Sequence, residues 1–586
     1  MDSLSKRVHH HVNFLYASLN NKTLASRSPK EKRGLMSYTH IHNVRKTIWT
    51  VSHRLALAYV LLTAFLAARL NAQTFDNLYD FNCSTGGCQP LNYGALTQGT
   101  DGNLYGTTTQ GGTHGFGTIF KVTTSGTHTD LFEFDSASGE NPSAGLTLAS
   151  DGNFYGTTFA GGSSDSGTIF RFTPPSTLKV LHNFNGTDGD NPVVPPTEAE
   201  DGNLYGTTEI GTTYRVTLPG GAFTQLPNAP GETFAPLYLA NDGNLYGTTA
   251  GGGTSGNGTV FRMTTAGVIK TIYNFTAMGT DGAGPFGGLT QGKDGYLYGT
   301  TEYGGGSADA GTVFQMALSG KETVLHVFVS STDGARPFAG LVVASSGSLY
   351  GTTTEGGADG NGTIFQITEG GSFSKIVDFT GASGLAPGFI PTTALMQNTN
   401  GSLYGLTANG GSTADSGNFY SLTPRNPLLS VIVAGPVWVS PGDPVEILGN
   451  DLNEVVNVEF AGVQAQFQPG SDTYLTATVP SDAINGLITV SLANGQQIES
   501  QRVVHILPVI TNLDPSFGPV GREVAIVGGG FAGTIKVTFG GVKATTFSVD
   551  SPRMIVATVP AGAKTGKVTV TTLNGTATSK ETFTVN

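Results

Sequence analysis

One eight-residue phrase constrains the fold of this chain more than any other feature. DGNLYGTT begins at Asp101 and returns as DGNFYGTT at Asp151, DGNLYGTT at Asp201 and Asp242, DGYLYGTT at Asp294, SGSLYGTT at Ser346 and NGSLYGLT at Asn400. The seven copies lie 41 to 54 residues apart. A unit that short cannot build a core alone, so each must bury its apolar side chains against its neighbours.

A second phrase follows each copy: GTIF at Gly117 and Gly167, GTTY at Gly211, GTVF at Gly258 and Gly311, GTIF at Gly362 and GNFY at Gly417. A third, apolar segment follows six of them, as in LFEF at 131, VLHNF at 180 and IYNF at 272. The seventh stands ahead of the first copy, at Leu78-Tyr79-Asp80-Phe81. A fourth short strand precedes each phrase, as GALT does from Gly94. Four strands per period and an N-terminal strand left over for the last period predict an all-β, seven-bladed β-propeller over residues 73–424, with Thr74 to Phe81 completing the blade that ends near Pro424. An open solenoid would need capping repeats instead.

Within the phrase, Asp-Gly forms a tight turn, and alternation along the strand sends Leu104 and Tyr105 to opposite faces. Small Gly106, Thr107 and Thr108 are expected to let the innermost strands crowd around a central channel. The third copy lacks the Gly-Gly loop found elsewhere, since Gly211 follows Glu209 and Ile210, which predicts a notch in one rim. Only 12% of residues are charged and 84 are Gly, in keeping with short strands and turns.

The repeated DG-x-LYGTT…GG…GT-[IV]-F phrase resembles the GloVer tandem-repeat proteins, bacterial exported proteins whose members carry varied surface-anchoring ends. That resemblance implies an extracytoplasmic, repeat-built protein. After Pro424, two segments align with each other. The first gives PGDPVEILGNDL from Pro441, VEFAGV from Val458 and ATVP from Ala477; the second gives PVGREVAIVGGGF from Pro519, VTFGGV from Val537 and ATVP from Ala557. They resemble IPT/TIG domains, small immunoglobulin-like sandwiches, at 425–507 and 508–586, although Asn450-Asp451 departs from the usual pattern in the first. The chain ends in ETFTVN, without an apolar tail.

Residues 1–72 hold 11 of the 30 Lys and Arg but only Asp2 and Glu31 of the 42 acids. The remaining chain has a net charge of −21, which disfavours nucleic acid and anionic membranes. Arg45, Lys46 and Arg54 precede the apolar run Leu55 to Ala68, and Leu70-Asn71-Ala72 offers a small-residue cleavage site before Gln73. The run falls short of the roughly 20 residues a spanning helix needs, so residues 1–72 are expected to be an N-terminal extension and signal peptide, leaving no membrane span after cleavage. Met36 lies where a signal of ordinary length would begin. Cys83 and Cys88 are the only cysteines, and in an oxidising compartment they are expected to close a small disulfide loop.

Catalytic motifs are absent: no HExxH, GxSxG or P-loop occurs. Past residue 72 the histidines are His114, His128, His182, His326 and His505, scattered among repeats, and those in LHNF and LHVF are expected to pack within blades. Asp101, Asp151, Asp201, Asp242 and Asp294, with Ser346 and Asn400 at the same position, are expected to make Asx-type turns. No cofactor is expected, apart from calcium at the Gly-rich loops of Asp165, Asp309, Asp359 and Asp415. Tyr303 and Phe159 precede Gly-Gly loops and raise a glycan platform, but no uniform aromatic ring emerges. Two functions follow. The leading one is a non-catalytic surface binding or adhesion protein for a glycan or cell-surface protein, with the sandwiches as a spacer. The alternative is a secreted lyase or glycoside hydrolase, with Glu198, Glu200 and Glu209 near the shortened third repeat as its acids.

Overall fold

Seven four-stranded antiparallel sheets account for residues 74–423 in the computed structural model. The structure describes residues 73–90, 94–218, 220–411, 416–424, 429–434, 437–500 and 502–586. The expected export signal in 1–72 and the candidate calcium ligand Asp415 lie outside the described residues. Among those residues, no helix is long and apolar enough to cross a membrane.

Sheet one runs Thr97–Gln98, Leu104–Thr108, Thr118–Val122, His128–Glu133, and the next five repeat that order. Sheet seven takes Met396–Gln397, Leu403–Thr407 and Asn418–Thr423 from its own repeat and its fourth strand, Thr74–Asp80, from the start of the described chain. That strand pairs antiparallel with Asn418–Thr423, from Thr74↔Thr423 to Asp80↔Asn418.

The LYGTT strand is buried along its whole length in sheet one, because other sheets cover both its faces. Leu104 packs with Tyr404, Leu406 and Phe419 of sheet seven, whereas Tyr105 packs with Phe154 and Phe170 of sheet two. The pairing recurs at each junction: Tyr155 with Leu204, Tyr205 with Leu245, Tyr246 with Leu297, Tyr298 with Leu349, and Tyr350 with Leu403. The glycine of the phrase is required by the second phrase. Gly106 faces Phe120 across the ladder, and a Cβ there would lie 2.6 Å from Phe120 Cζ and 2.8 Å from Leu96 Cδ2.

The threonines act differently from expectation. Two adjoining cavities are lined by the two-residue strands that precede the phrases, not by LYGTT, which is the next strand outward. The Thr107 hydroxyl lies within hydrogen-bond reach of the carbonyls of Pro142 (2.8 Å) and Ala144, in the segment that leads into sheet two, and donates to one of them. Thr157, Thr248, Thr300 and Thr352 likewise donate to backbone carbonyls of the segment that leads into the following sheet. The residue is small because its hydroxyl must reach a neighbouring main chain.

Residues 431–506 form two four-stranded sheets and a two-stranded parallel pair, Trp438–Val439 with His505–Ile506, and residues 509–585 form a four-stranded and a five-stranded sheet; each segment has its own core, the first including Ile447, Phe460 and Leu475 and the second Ile526, Phe539 and Ile555. One four-stranded sheet of each shares a strand order, Ile432–Ala434, Pro444–Leu448, Tyr474–Thr478, Gln466–Ser471 against Val509–Asp514, Glu523–Gly529, Met554–Thr558, Phe547–Ser551. Asn574 Nδ2 of the second sandwich donates to the Ile506 carbonyl at 2.8 Å.

Candidate functional site: an aromatic arc opposite a docked sandwich

The Asp-Gly turns are structural. Asp101 Oδ1 accepts the Asn103 amide, and Asp101 Oδ2 accepts the Tyr105 hydroxyl at 3.0 Å. Asp151, Asp201, Asp242 and Asp294 hold Tyr155, Tyr205, Tyr246 and Tyr298 at 2.7 to 2.8 Å. Asn400 replaces the carboxylate by donating Nδ2–H to the Tyr404 hydroxyl at 3.0 Å, and Ser346 Oγ accepts the Ser348 amide. The aspartates therefore anchor the buried tyrosines of the repeat.

The loop aspartates do not converge either. Asp165 and Asp309 have positive φ (58° and 46°) and cap their own loops, accepting the amides of Gly161 (3.0 Å) and Gly304 (2.7 Å). Asp359 is exposed. Among the described residues, no three His, Cys, Asp or Glu side chains stand close enough together to hold a metal ion. Cys83 and Cys88 form a disulfide, with Cys88 in the core shared by sheets seven and one.

His128, His182 and His326 pack between sheets, whereas His114 is exposed and His505 belongs to the first sandwich. His182 stacks on Phe223 at 3.7 Å and pairs with Asp188 at 3.0 Å; His326 stacks on Phe373 at 3.7 Å and pairs with Asp333 at 2.8 Å. Burial lowers the pKa of both rings against the opposing pull of their aspartates. The same stack joins Tyr79 of sheet seven to His128 of sheet one at 4.5 Å.

The first sandwich sits on the turn end of the sheets. Thr473 Oγ1 donates to the Thr100 carbonyl (2.8 Å), Asn450 Nδ2 to Thr399 Oγ1 (2.9 Å) and Arg502 Nη2 to the Leu239 carbonyl (3.2 Å). Asn450, which departs from the IPT/TIG pattern, is thus a docking residue. Trp438 stacks on His505 at 4.2 Å, and the Trp438 edge and a Glu200 oxygen both crowd the Cβ position of Gly243. Burial, then Asp201 and Asp242, raises Glu200 to about 7.

At the other end of the first strands lies an aromatic arc. Phe234, Phe286 and Phe338 enter sheets four, five and six at equivalent positions, each partly exposed. The ring of Phe286 lies 5.1 Å from both Phe234 and Phe338. Tyr303, 37% exposed, extends the surface: its ring and that of Phe286 both crowd the Cβ position of Gly284. The Arg336 guanidinium covers Tyr303 at 4.2 Å from the ring centre. Carboxyls flank both ends. Burial, then Glu232 and Asp190, raises the pKa of Glu209; burial raises that of Glu302, with Glu355 adding to the rise and Tyr303 and Arg336 opposing it.

Among the described residues no ring contact joins Phe159 to this arc, whereas Tyr303 borders it. The arc itself escaped sequence reasoning, although FAPL, FGGL and FAGL recur at intervals of 52 residues. Glu198, Glu200 and Glu209 are not brought together. Glu198 is buried and accepts the Ser150 amide and hydroxyl; Glu200 faces Trp438; Glu209 lies beside Glu232 and Asp190.

A model of the Gloeobacter/Verrucomicrobia repeat matches residues 64–214 and 209–420, and one of the IPT/TIG domain matches residues 508–585. No curated protein matches the sequence. Among solved structures, a fungal alcohol oxidase of the AA5 family in complex with copper aligns at 14% identity over 73% of this chain and 98% of its own, with a TM-score of 0.40. The extracellular domain of a Bacteroides thetaiotaomicron protein assigned as a hybrid two-component system aligns at 12% identity over 85% of this chain and 65% of its own, with a TM-score of 0.41. SGBP-B from a complex xyloglucan utilization locus in Bacteroides uniformis aligns at 19% identity over 27% and 49%, with a TM-score of 0.15. The alignment spans less than two thirds of each of the last two. With the repeat matching more than half of its residues, the chain belongs to the Gloeobacter/Verrucomicrobia repeat family and carries a C-terminal IPT/TIG domain.

Proposed function

We propose that this is an extracytoplasmic, non-catalytic glycan-binding protein whose ligand lies on the Phe234, Phe286 and Phe338 arc. The arc is the observation that carries the proposal. Pyranose rings present flat C–H faces that stack on aromatic rings, and carboxylates at the edges accept sugar hydroxyls; Glu209, Glu232 and Glu302 stand where that second contact is needed.

In this proposal residues 73–424 form a closed, seven-bladed propeller. The seam between sheets seven and one has the Tyr–Leu core found at five other junctions and the ring stack found at two of them, and Gln98 bonds Thr399 across it at 3.0 Å, as Gln397 bonds Ser345 across the junction before. The sandwiches at 425–507 and 508–586 serve as a spacer, the first one closing the opposite end. Export rests on the apolar run at 55–68 with its cleavage site, and the Cys83–Cys88 disulfide fits an oxidising compartment. The non-catalytic assignment rests on the separation of Glu198, Glu200 and Glu209.

Binding of a panel of soluble polysaccharides to the purified protein tests this, with reducing-end detection alongside. Saturable binding without new reducing ends is expected, weakened about tenfold or more by Phe286→Ala. Binding that Phe286→Ala leaves unchanged would remove the arc from the function, and new reducing ends would make the protein an enzyme.

A further inference from the structure

We propose that the cavity beneath the first sandwich is a second binding site, separate from the aromatic arc, and that it takes a straight-chain carboxylate. The cavity measures about 510 Å³, within the range of small-molecule sites. Its walls are mainly apolar, with Leu289, Leu341, Val342, Leu395 and Met396 from the sheets and Ile432 from the sandwich.

The polar side chains on the surrounding strands are already committed to protein partners. Gln291 accepts the Asn241 amide at 2.9 Å and donates to the Gly295 carbonyl at 2.7 Å, and Gln397 accepts the Ser345 amide at 2.7 Å. In the adjoining space, Thr147 and Thr197 donate to the carbonyls of Pro196 (2.7 Å) and Leu237 (2.6 Å). Water would find few groups left to bond there, so apolar matter is favoured.

Arg502 is the exception. It borders both this cavity and the adjoining space, and among the described residues its buried Nε–H has no acceptor. A buried guanidinium N–H lacking an acceptor is costly, and a carboxylate supplies the strongest partner for it. Among the described residues, Lys293, whose Nζ donates to the Ser345 carbonyl at 2.9 Å, is the other charged residue on the wall of the 510 Å³ cavity and no carboxylate lines it; Glu198, on the wall of the adjoining space, is held by the Ser150 amide and hydroxyl. An apolar chamber with a cationic side selects an anionic head on an apolar tail, in a chain that past residue 72 is otherwise strongly acidic.

Calorimetric titration of the purified protein with sodium decanoate, below its micellar concentration, tests the site, with decyltrimethylammonium as the probe of opposite charge. The expected result is saturable binding of one decanoate per chain and none of the cation. Arg502→Met, which keeps the aliphatic stem, is expected to weaken decanoate at least tenfold, and Val342→Trp, which fills the chamber, to abolish binding. Absence of saturable decanoate binding, equal binding of both probes, or an Arg502→Met variant that binds decanoate like the parent would each overturn the proposal. Should Val342→Trp fail to fold, the Arg502→Met comparison decides.

Discussion

Glu200→Gln should stabilise the protein at pH 8 and leave it unchanged at pH 4. Burial against the first sandwich, with Asp201 and Asp242 alongside, raises this carboxyl from 4.5 to about 7. The folded state therefore holds a proton that the unfolded chain has released between those values. Stability contributed by that proton is complete below pH 4.5, falls as pH rises, and is gone above 7. Moving a carboxyl over that interval corresponds to roughly 3 kcal/mol. Glu200 retains substantial solvent contact, so screening leaves about 1 kcal/mol. Differential scanning calorimetry of both proteins at pH 4 and pH 8 reads the difference as a rise of a few degrees in the variant at pH 8 alone. Glu322, also raised to about 7 by burial and then Asp281, lies away from the sandwich and gives the parent a pH dependence of the same sign, so the comparison must be between variant and parent at each pH. Equal stabilisation at both pH values, or destabilisation at pH 8, would refute the assignment.

The seam between sheets seven and one can be tested against an ordinary junction. Gln98→Ala removes a buried side chain that donates to Thr399 Oγ1 and accepts the Thr399 amide, and is expected to cost about 1–3 kcal/mol in urea unfolding, as is Gln397→Ala; a Gln98→Ala variant as stable as the parent would argue against closure. Gly299→Ala is expected to cost a similar 1–3 kcal/mol by overpacking, because its Cβ would lie 2.5 Å from Phe314 Cζ; a neutral effect would show that the ring can move aside. Replacing Cys83 and Cys88 with Ser is expected to lower stability by about 2 kcal/mol for so small a loop, with parent and variant converging in reductant.

Local periodicity made much of the fold legible. Leu104 and Tyr105 do face opposite cores, and the strand Thr74–Asp80 does complete the last sheet, both readable from the two-residue alternation and from the count of apolar segments. The position of LYGTT within its sheet was not readable, because Gly106 and Thr107 are small for reasons that lie in other strands: a facing phenylalanine and the main chain of the next sheet. The candidate site was the least legible part. Phe234, Phe286 and Phe338 form a surface only when three sheets stand side by side. Asn450 meets Thr399 only once a sandwich folds back on the repeats, a contact that no local pattern announces.

The pairing of Thr74–Asp80 with Asn418–Thr423 makes the start of the described chain wait for a partner almost 350 residues later. At about 5–20 residues per second, that partner is synthesised some tens of seconds afterwards. Until then the strand has an open edge that invites pairing with other chains. The last sheet therefore works as a clasp, and its delayed fastening is the interval in which a chaperone has most to protect.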